Sequence, residues 1–291
     1  MSPRMLDLDR AGLIALDGRA LTAAVGEAEG RTVLAEVIPS RGPLVDGVDN
    51  LEVVAAMGAD VLVLNFVDEL LVDDGWQLPC LGRLADLSAL AVTVGRPIGV
   101  NLEPGDVPPA RQATPQSARR LVDSGAVMLV LTANPGAGTT LADLARVTET
   151  VRAAVGSGPS IWAGKMHQAG VTEPITPRGL VALIDAGADG ALLPLPGTVP
   201  GVTRDAAAGI CATVHEAGGL VMGTIGTSQE GAHPRTLAAL ALIGKEIGVD
   251  VHHLGDAGLA GATDPESVYA YSVAVRGRRH TWRRMALGNR H

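Results

Sequence analysis

The chain has 291 residues, 47% of them apolar and 19% charged, with a formal net charge of −8 at pH 7. No apolar run reaches the roughly 18 to 20 residues of a membrane span. The acidic balance and an aromatic content of 2% argue against a nucleic-acid-binding surface. Cys80 and Cys211 have neither metal spacing nor a disulfide framework, and the N-terminus MSPRMLDLDR lacks the apolar stretch of a signal peptide. A cytoplasmic location is expected.

Asp9–Gly30 reads as one or two short helices that could close the bottom of a following domain. Strand and helix signals then alternate. Strand Thr32–Ile38 precedes helix Asn50–Met57, strand Asp60–Asn65 precedes helix Leu84–Val94, and strand Pro97–Leu102 precedes helix Pro115–Asp123. Strand Ala126–Thr132 leads into helix Leu141–Val155, and strand Ser160–Lys165 into helix Pro177–Asp185. The last three units pair Gly190–Leu195 with Arg204–Glu216, Leu220–Thr224 with Pro234–Ile247, and Val249–Leu254 with Pro265–Val275. Strand starts recur at roughly 30 residues, the length of one βα unit. Pro115, Pro177, Pro234 and Pro265 each follow a capping residue, where a missing N–H costs nothing. Gly58, Gly125, Gly187 and Gly248 stand where helices end in a left-handed residue.

Eight such alternations predict a single (β/α)₈ TIM barrel over residues 1–291, with 1–30 as an N-terminal helical extension. The rival, a doubly wound open sheet, would need a Gly-x-Gly-x-x-Gly turn after the first strand, and Pro39-Ser40-Arg41-Gly42 is not one. Residues 276–291 form a basic tail in which Arg276–Arg284 reads as solvated or facing another subunit. A homo-oligomer is expected.

Barrel active sites lie at the C-terminal strand ends, on inward positions. Alternation nominates Glu36, Asn65, Asn101, Glu103, Thr132, Asn134, Lys165, His167, Thr224 and one of His252 and His253, since adjacent residues face opposite ways. Burying such a polar ring without partners would be costly, which points to function or to a hydrogen-bonded rim network. Lys165 could form a Schiff base, polarise a carbonyl or hold a phosphate, or simply pair with Glu103 or Glu36. His167 and one of the pair His252-His253 are candidate acids or bases. Glu36, Glu103, Asp256 and a histidine could bind a divalent metal, although no tight ligand spacing supports one; no cofactor is firmly implied.

Two glycine turns end the last strands, Gly226-Thr227-Ser228 and Gly255-Asp256-Ala257-Gly258. Backbone N–H groups in such turns can cradle an anion, so they are the expected phosphate site. Pro194-Leu-Pro-Gly-Thr-Val-Pro-Gly201 is a stiff loop that could line the pocket or cap the barrel.

The segments Gly164-Lys-Met-His-Gln-Ala-Gly170, Pro194–Gly201, Ile225-Gly-Thr-Ser-Gln-Glu-Gly231, His252-His-Leu-Gly-Asp-Ala-Gly258 and Tyr271-Ser-Val-Ala-Val-Arg-Gly-Arg-Arg-His280 together carry a resemblance. They resemble an uncharacterised bacterial TIM-barrel family often labelled phosphoenolpyruvate phosphonomutase or haloacid dehalogenase-like hydrolase and associated with sugar phosphotransferase systems. The resemblance implies the barrel and a link to phosphorylated carbohydrate.

The expectation is an enzyme acting on a small phosphorylated sugar or keto-acid, a lyase or isomerase. Lys165, His167, Glu103 and Glu36 would be catalytic. Asn65, Asn101, Thr132, Asn134, Thr224 and His253 would hold the substrate. The alternatives are a phosphosugar-binding regulator without turnover and a metal-dependent hydrolase or phosphonomutase-like enzyme.

Overall fold

The computed structural model describes residues 3–72, 75–133, 138–167, 173–226, 229–256 and 261–288. Among them, eight parallel strands close into a barrel: β1 (Thr32–Val37), β2 (Val61–Leu64), β3 (Ile98–Leu102), β4 (Met128–Thr132), β5 (Ser160–Gly164), β6 (Gly190–Pro194), β7 (Leu220–Ile225) and β8 (Val251–Leu254). Each pairs with its neighbours in sequence, and β8 returns to β1 through Leu34↔His253 and Ala35↔Leu254. The expected (β/α)₈ architecture is therefore the observed one.

Two short helices, Arg10–Ile14 and Gly18–Gly26, precede the barrel, and the helices that alternate with its strands are α1 (Asn50–Ala56), α2 (Leu87–Val94), α3 (Pro115–Asp123), α4 (Leu141–Val155), α5 (Pro177–Asp185), α6 (Arg204–Glu216), α7 (Pro234–Ile247) and α8 (Pro265–Gly288). Their starts follow from caps written in the sequence. Asp49 with Glu52, and Thr140 with Asp143, form reciprocal capping boxes, while Thr114, Thr176 and Thr203 accept from the first-turn amides. Among the described residues no helix is long and apolar enough to cross a membrane.

One element starts later than its apolar spacing suggests. The helix expected from Leu84 begins at Leu87, because Asp86 caps it by accepting from the Ala89 amide. The residues before it form a small antiparallel sheet, Leu71–Val72, Gly75–Leu78 and Gly82–Leu84, which the sequence reading passed over. Trp76 docks this sheet on the barrel by donating its indole N–H to Ser124 Oγ at 3.1 Å.

Alternation along each strand builds two cores. Val33, Ala35, Leu62 and Leu64 face the surrounding helices. Leu34, Val63, Val130, Trp162, Leu192 and Met222 fill the barrel axis, and Met5, Leu13, Leu21 and Val25 of the N-terminal segments pack against that inner set. Burying such side chains is worth about 1.5–3 kcal/mol each, so the extension is part of the core, closing the bottom as expected.

The basic tail requires a correction. The last helix continues through Arg276–Arg284, broken only at Gly277 (φ 74°, ψ 165°). Two of its arginines are neither solvated nor directed to another subunit. Arg276 Nη1 and Arg284 Nε each lie 2.6 Å from the carboxylate of Asp60, and all three side chains are buried. Asp60, just ahead of β2, also accepts the Val33 amide at 2.8 Å. Arg284 reaches on to the carbonyls of Met5 and Leu8, while nearby Arg96 binds those of Ala55, Ala59 and Gly288. Charge counting alone could not separate these arginines from their exposed neighbours, because their partner is far away in sequence.

Burial by itself would raise the Asp60 carboxyl, but the two guanidiniums outweigh it and hold the group below its ordinary range. Asp60→Asn, which strands two buried cations, should cost about 3–5 kcal/mol, read as a lower denaturant midpoint. A carboxyl depressed in the folded state stabilises fully above its ordinary value of 3.8. That contribution disappears as pH falls through the folded value, so the gap between wild type and Asp60→Asn should narrow in acid.

Candidate active site

At the C-terminal mouth lies a cavity of about 340 Å³ lined by Glu36, Asn65, Phe66, Glu103, Arg111, Thr132, Met166, His167, Gly226, Glu230, Gly255 and Asp256. Its walls continue the inward alternation. Leu34 gives way to Glu36, Val63 to Asn65 and Val130 to Thr132, so on these three strands a polar residue stands directly above the apolar axial one.

A hydrogen-bonded chain joins four strand ends. Thr132 Oγ1 donates to Asn101 Oδ1 at 2.8 Å, Asn101 Nδ2 to Asn65 Oδ1 at 3.2 Å, and Asn65 Nδ2 to Asp256 Oδ2 at 3.0 Å. The two side-chain amides are thereby fixed, and they orient the Asp256 carboxylate.

Beside this chain, His253 Nε2 lies 2.9 Å from Glu36 Oε2, both side chains being buried. Burial raises the Glu36 carboxyl above its ordinary range, against the opposing effect of His253. Glu36 lines the cavity and His253 supports it from within the barrel. His253 Nδ1 and Thr224 Oγ1, both buried, have no hydrogen-bond partner among the described residues. The adjacent His252 faces outward. Its Nε2 donates to the Gly30 carbonyl at 3.1 Å, and its Nδ1 lies 3.0 Å from the Tyr271 hydroxyl. Burial pushes its pKa down to about 3, so it is a neutral packing residue.

Lys165 is not brought to the cavity. Pairing of Thr132 with Gly164 puts Gly164 on the inward register, so Lys165 falls on the other parity and Met166 returns to the wall. Lys165 Nζ lies 3.0 Å from Glu173 Oε2, the oxygen that also accepts the first amide of α4, from Leu141 at 2.9 Å. Neither Glu103 nor Glu36, the partners expected from sequence, meets it. His167 does line the cavity. Burial, and then the charge of Lys165, lower its pKa and favour the neutral imidazole.

Residues that the sequence reading did not single out complete the wall. Phe66, the chain's one phenylalanine, holds a left-handed backbone (φ 52°) and donates its amide to Asn65 Oδ1 at 2.9 Å. The guanidinium of Arg111 stacks 4.3 Å over its ring. Arg111 also lies 3.5 Å from Asp68 and 3.7 Å from Glu103, separations of charge attraction rather than hydrogen bonding. Glu230 sits in a single 3₁₀ turn after β7, and burial raises its carboxyl.

The glycine turns are described only at their starts. Asn134, Thr227, Ser228, Ala257 and Gly258 lie outside the described residues. Gly226 and Gly255 have packing reasons to lack a side chain: a Cβ at 226 would stand 2.9 Å from Met166, and one at 255 would stand 2.7 Å from the Ile225 carbonyl. The loop Pro194–Gly201 contributes no residue to the cavity wall. Among the described residues no three His, Cys, Asp or Glu side chains converge as a metal-binding group.

A family model described as Domain of unknown function (DUF7916) matches residues 6–291. No curated protein matches the chain. Among solved structures, one provisionally described as a lyase/mutase from Burkholderia cenocepacia J2315 superposes with a TM-score of 0.54 at 18% identity, covering 83% of this chain and 81% of that one. One provisionally described as a fructose-1,6-biphosphate aldolase from Coccidioides immitis gives 0.54 at 12% identity, covering 90% and 94%. A 2,3-dimethylmalate lyase, described as a PEP mutase/isocitrate lyase superfamily member, gives 0.51 at 15% identity, covering 87% and 83%. These likenesses establish the fold. The phosphoenolpyruvate mutase side of the expected resemblance reappears among them as a shared barrel, whereas the dehalogenase-like label finds no support.

The position of Lys165 has a direct test. Borohydride treatment in the presence of phosphorylated aldoses, ketoses and keto-acids should leave the Lys165 peptide unmodified in mass spectrometry. An adduct there would mean that the pair with Glu173 opens and that the lysine reaches the substrate.

Proposed function

The chain belongs to the DUF7916 family, and we propose that it is an acid–base enzyme, an aldol-type lyase acting on a small hydroxylated keto-acid. The observation that carries this reading is Glu36, a buried carboxyl with a raised pKa that lines the cavity and is backed by His253 at 2.9 Å. A carboxyl poised above its ordinary range is suited to accept a proton and return it near neutral pH.

In the proposed cleavage, the Glu36 carboxylate takes the proton of the substrate's β-hydroxyl. The C–C bond breaks as that oxygen becomes a carbonyl, and the bonding pair passes into an enolate on the other fragment. Glu36 then returns the same proton to the enolate carbon, so acid and base are one group. Arg111, steadied by Phe66, holds the keto-acid end and faces the negative charge that develops on the enolate oxygen. The chain Thr132–Asn101–Asn65 fixes the wall at the ends of β2 to β4. No imine is required, in keeping with the pairing of Lys165 and Glu173.

The anionic end is assigned to Arg111 rather than to the glycine turns because Glu230 and Asp256 set like charge beside Gly226 and Gly255. That arrangement favours a carboxylate at Arg111 over a phosphate dianion at the turns.

Turnover of a panel of 4-hydroxy-2-oxo acids, followed by proton NMR, checks the reading. Glu36→Gln should lower kcat by about 10²–10⁴-fold. For the wild type, kcat/KM should climb with pH as Glu36 ionises, with a midpoint above the ordinary carboxyl value of 4.5. Binding without conversion would favour a sensor, and proton exchange without cleavage would favour an isomerase. Either result overturns the lyase.

A further inference from the structure

The proposed cleavage gives no role to Glu230, a buried carboxyl on the cavity wall. Glu230 is 4% exposed, and its Oε2 has no hydrogen-bond partner among the described residues. Backbone runs close against this carboxylate: a Cβ at Gly255 would stand 3.2 Å from Glu230 Oε1, so a side chain there would crowd it. A backbone amide serves this carboxylate, but a buried carboxylate oxygen left without a donor of its own is costly. Burial is the main cause of its raised pKa.

The charges around it are unbalanced. Glu36, Glu103, Glu230 and Asp256 all line the cavity, and the described lining residues include one arginine, Arg111. That arginine lies against Asp68 and Glu103, on the side of Phe66. Asp256, next in sequence to Gly255, is held by Asn65 Nδ2 at 3.0 Å. His167 is biased toward its neutral form. Glu230 therefore faces the cavity on the side of β7 and β8, away from Arg111, with its Oε2 unpaired among the described residues.

We infer that Glu230, with Asp256 beside it, binds a protonated amine on the substrate. A hydroxyl could satisfy the orphan oxygen but not the charge, whereas an ammonium supplies both donors and charge. A divalent ion fits less well, because among the described residues three ligands do not converge. The substrate class thus becomes an amine-bearing hydroxylated acid, its anionic end at Arg111 and its ammonium at Glu230. A cavity of about 340 Å³ accommodates a molecule of that size. The orientation rests on the lyase reading, but recognition of the amine requires no turnover.

Calorimetric titration with matched pairs that exchange an amine for a hydroxyl separates the two ideas: serine against glycerate, threonine against 2,3-dihydroxybutyrate, and glucosaminate against gluconate. In at least one pair the wild type should bind the amine about tenfold more tightly or better. Glu230→Gln, nearly isosteric and checked for an unchanged thermal midpoint, should remove that preference. Glu36→Gln should retain it, so failure of the lyase reading would leave the preference standing. Equal binding within every pair, no binding by any amine, or a preference that survives Glu230→Gln would each overturn the inference.

Discussion

Side-chain parity on a closed parallel sheet governs this molecule. Once β8 pairs with β1, no strand can shift by one residue without exchanging its axial and outward sets. Closure consequently decides what may be polar and where. Residues that alternate with the helix-facing core must fill the axis or stand at a mouth, and Glu36, Asn65 and Thr132 stand at the mouth because Leu34, Val63 and Val130 fill the axis beneath them. The same rule removes Lys165, one residue away from the inward Gly164.

The two ends of the barrel handle buried charge in opposite ways. At the bottom, Asp60 meets two guanidiniums and a backbone amide, while Arg96 is spent on carbonyls. That end is saturated and serves cohesion. At the top, carboxylates outnumber cations, and His253, Thr224 and Glu230 keep atoms without partners among the described residues. Stability comes from the first arrangement, and capacity for chemistry from the second.

Much of this was legible in the sequence, and the physics explains which parts. Strand–helix alternation, proline starts and threonine caps are local signals, so the barrel and most helix starts could be read directly. The inward polar set on β1 to β4, β7 and β8 followed from a period of two. Lys165 did not, because the end of β5 turns on whether Gly164 or its neighbour faces inward, and a glycine gives no apolar mark to settle that parity. Arg111 and Glu230 stand in irregular segments after strands, where no period exists to point at a cavity. The pairing of Arg276 and Arg284 with Asp60 joins segments more than 200 residues apart, a distance at which composition has no voice. The small sheet at Leu71–Leu84 was hidden by strands of only two to four residues.

The Asp60 clamp also has a bearing on how the chain is made. Asp60 leaves the ribosome early, whereas Arg276 and Arg284 emerge only after all eight barrel strands. Until then a nascent barrel would have to bury a carboxylate whose counter-ions do not yet exist. The closed floor therefore gains its counter-charges only once the last helix is in place.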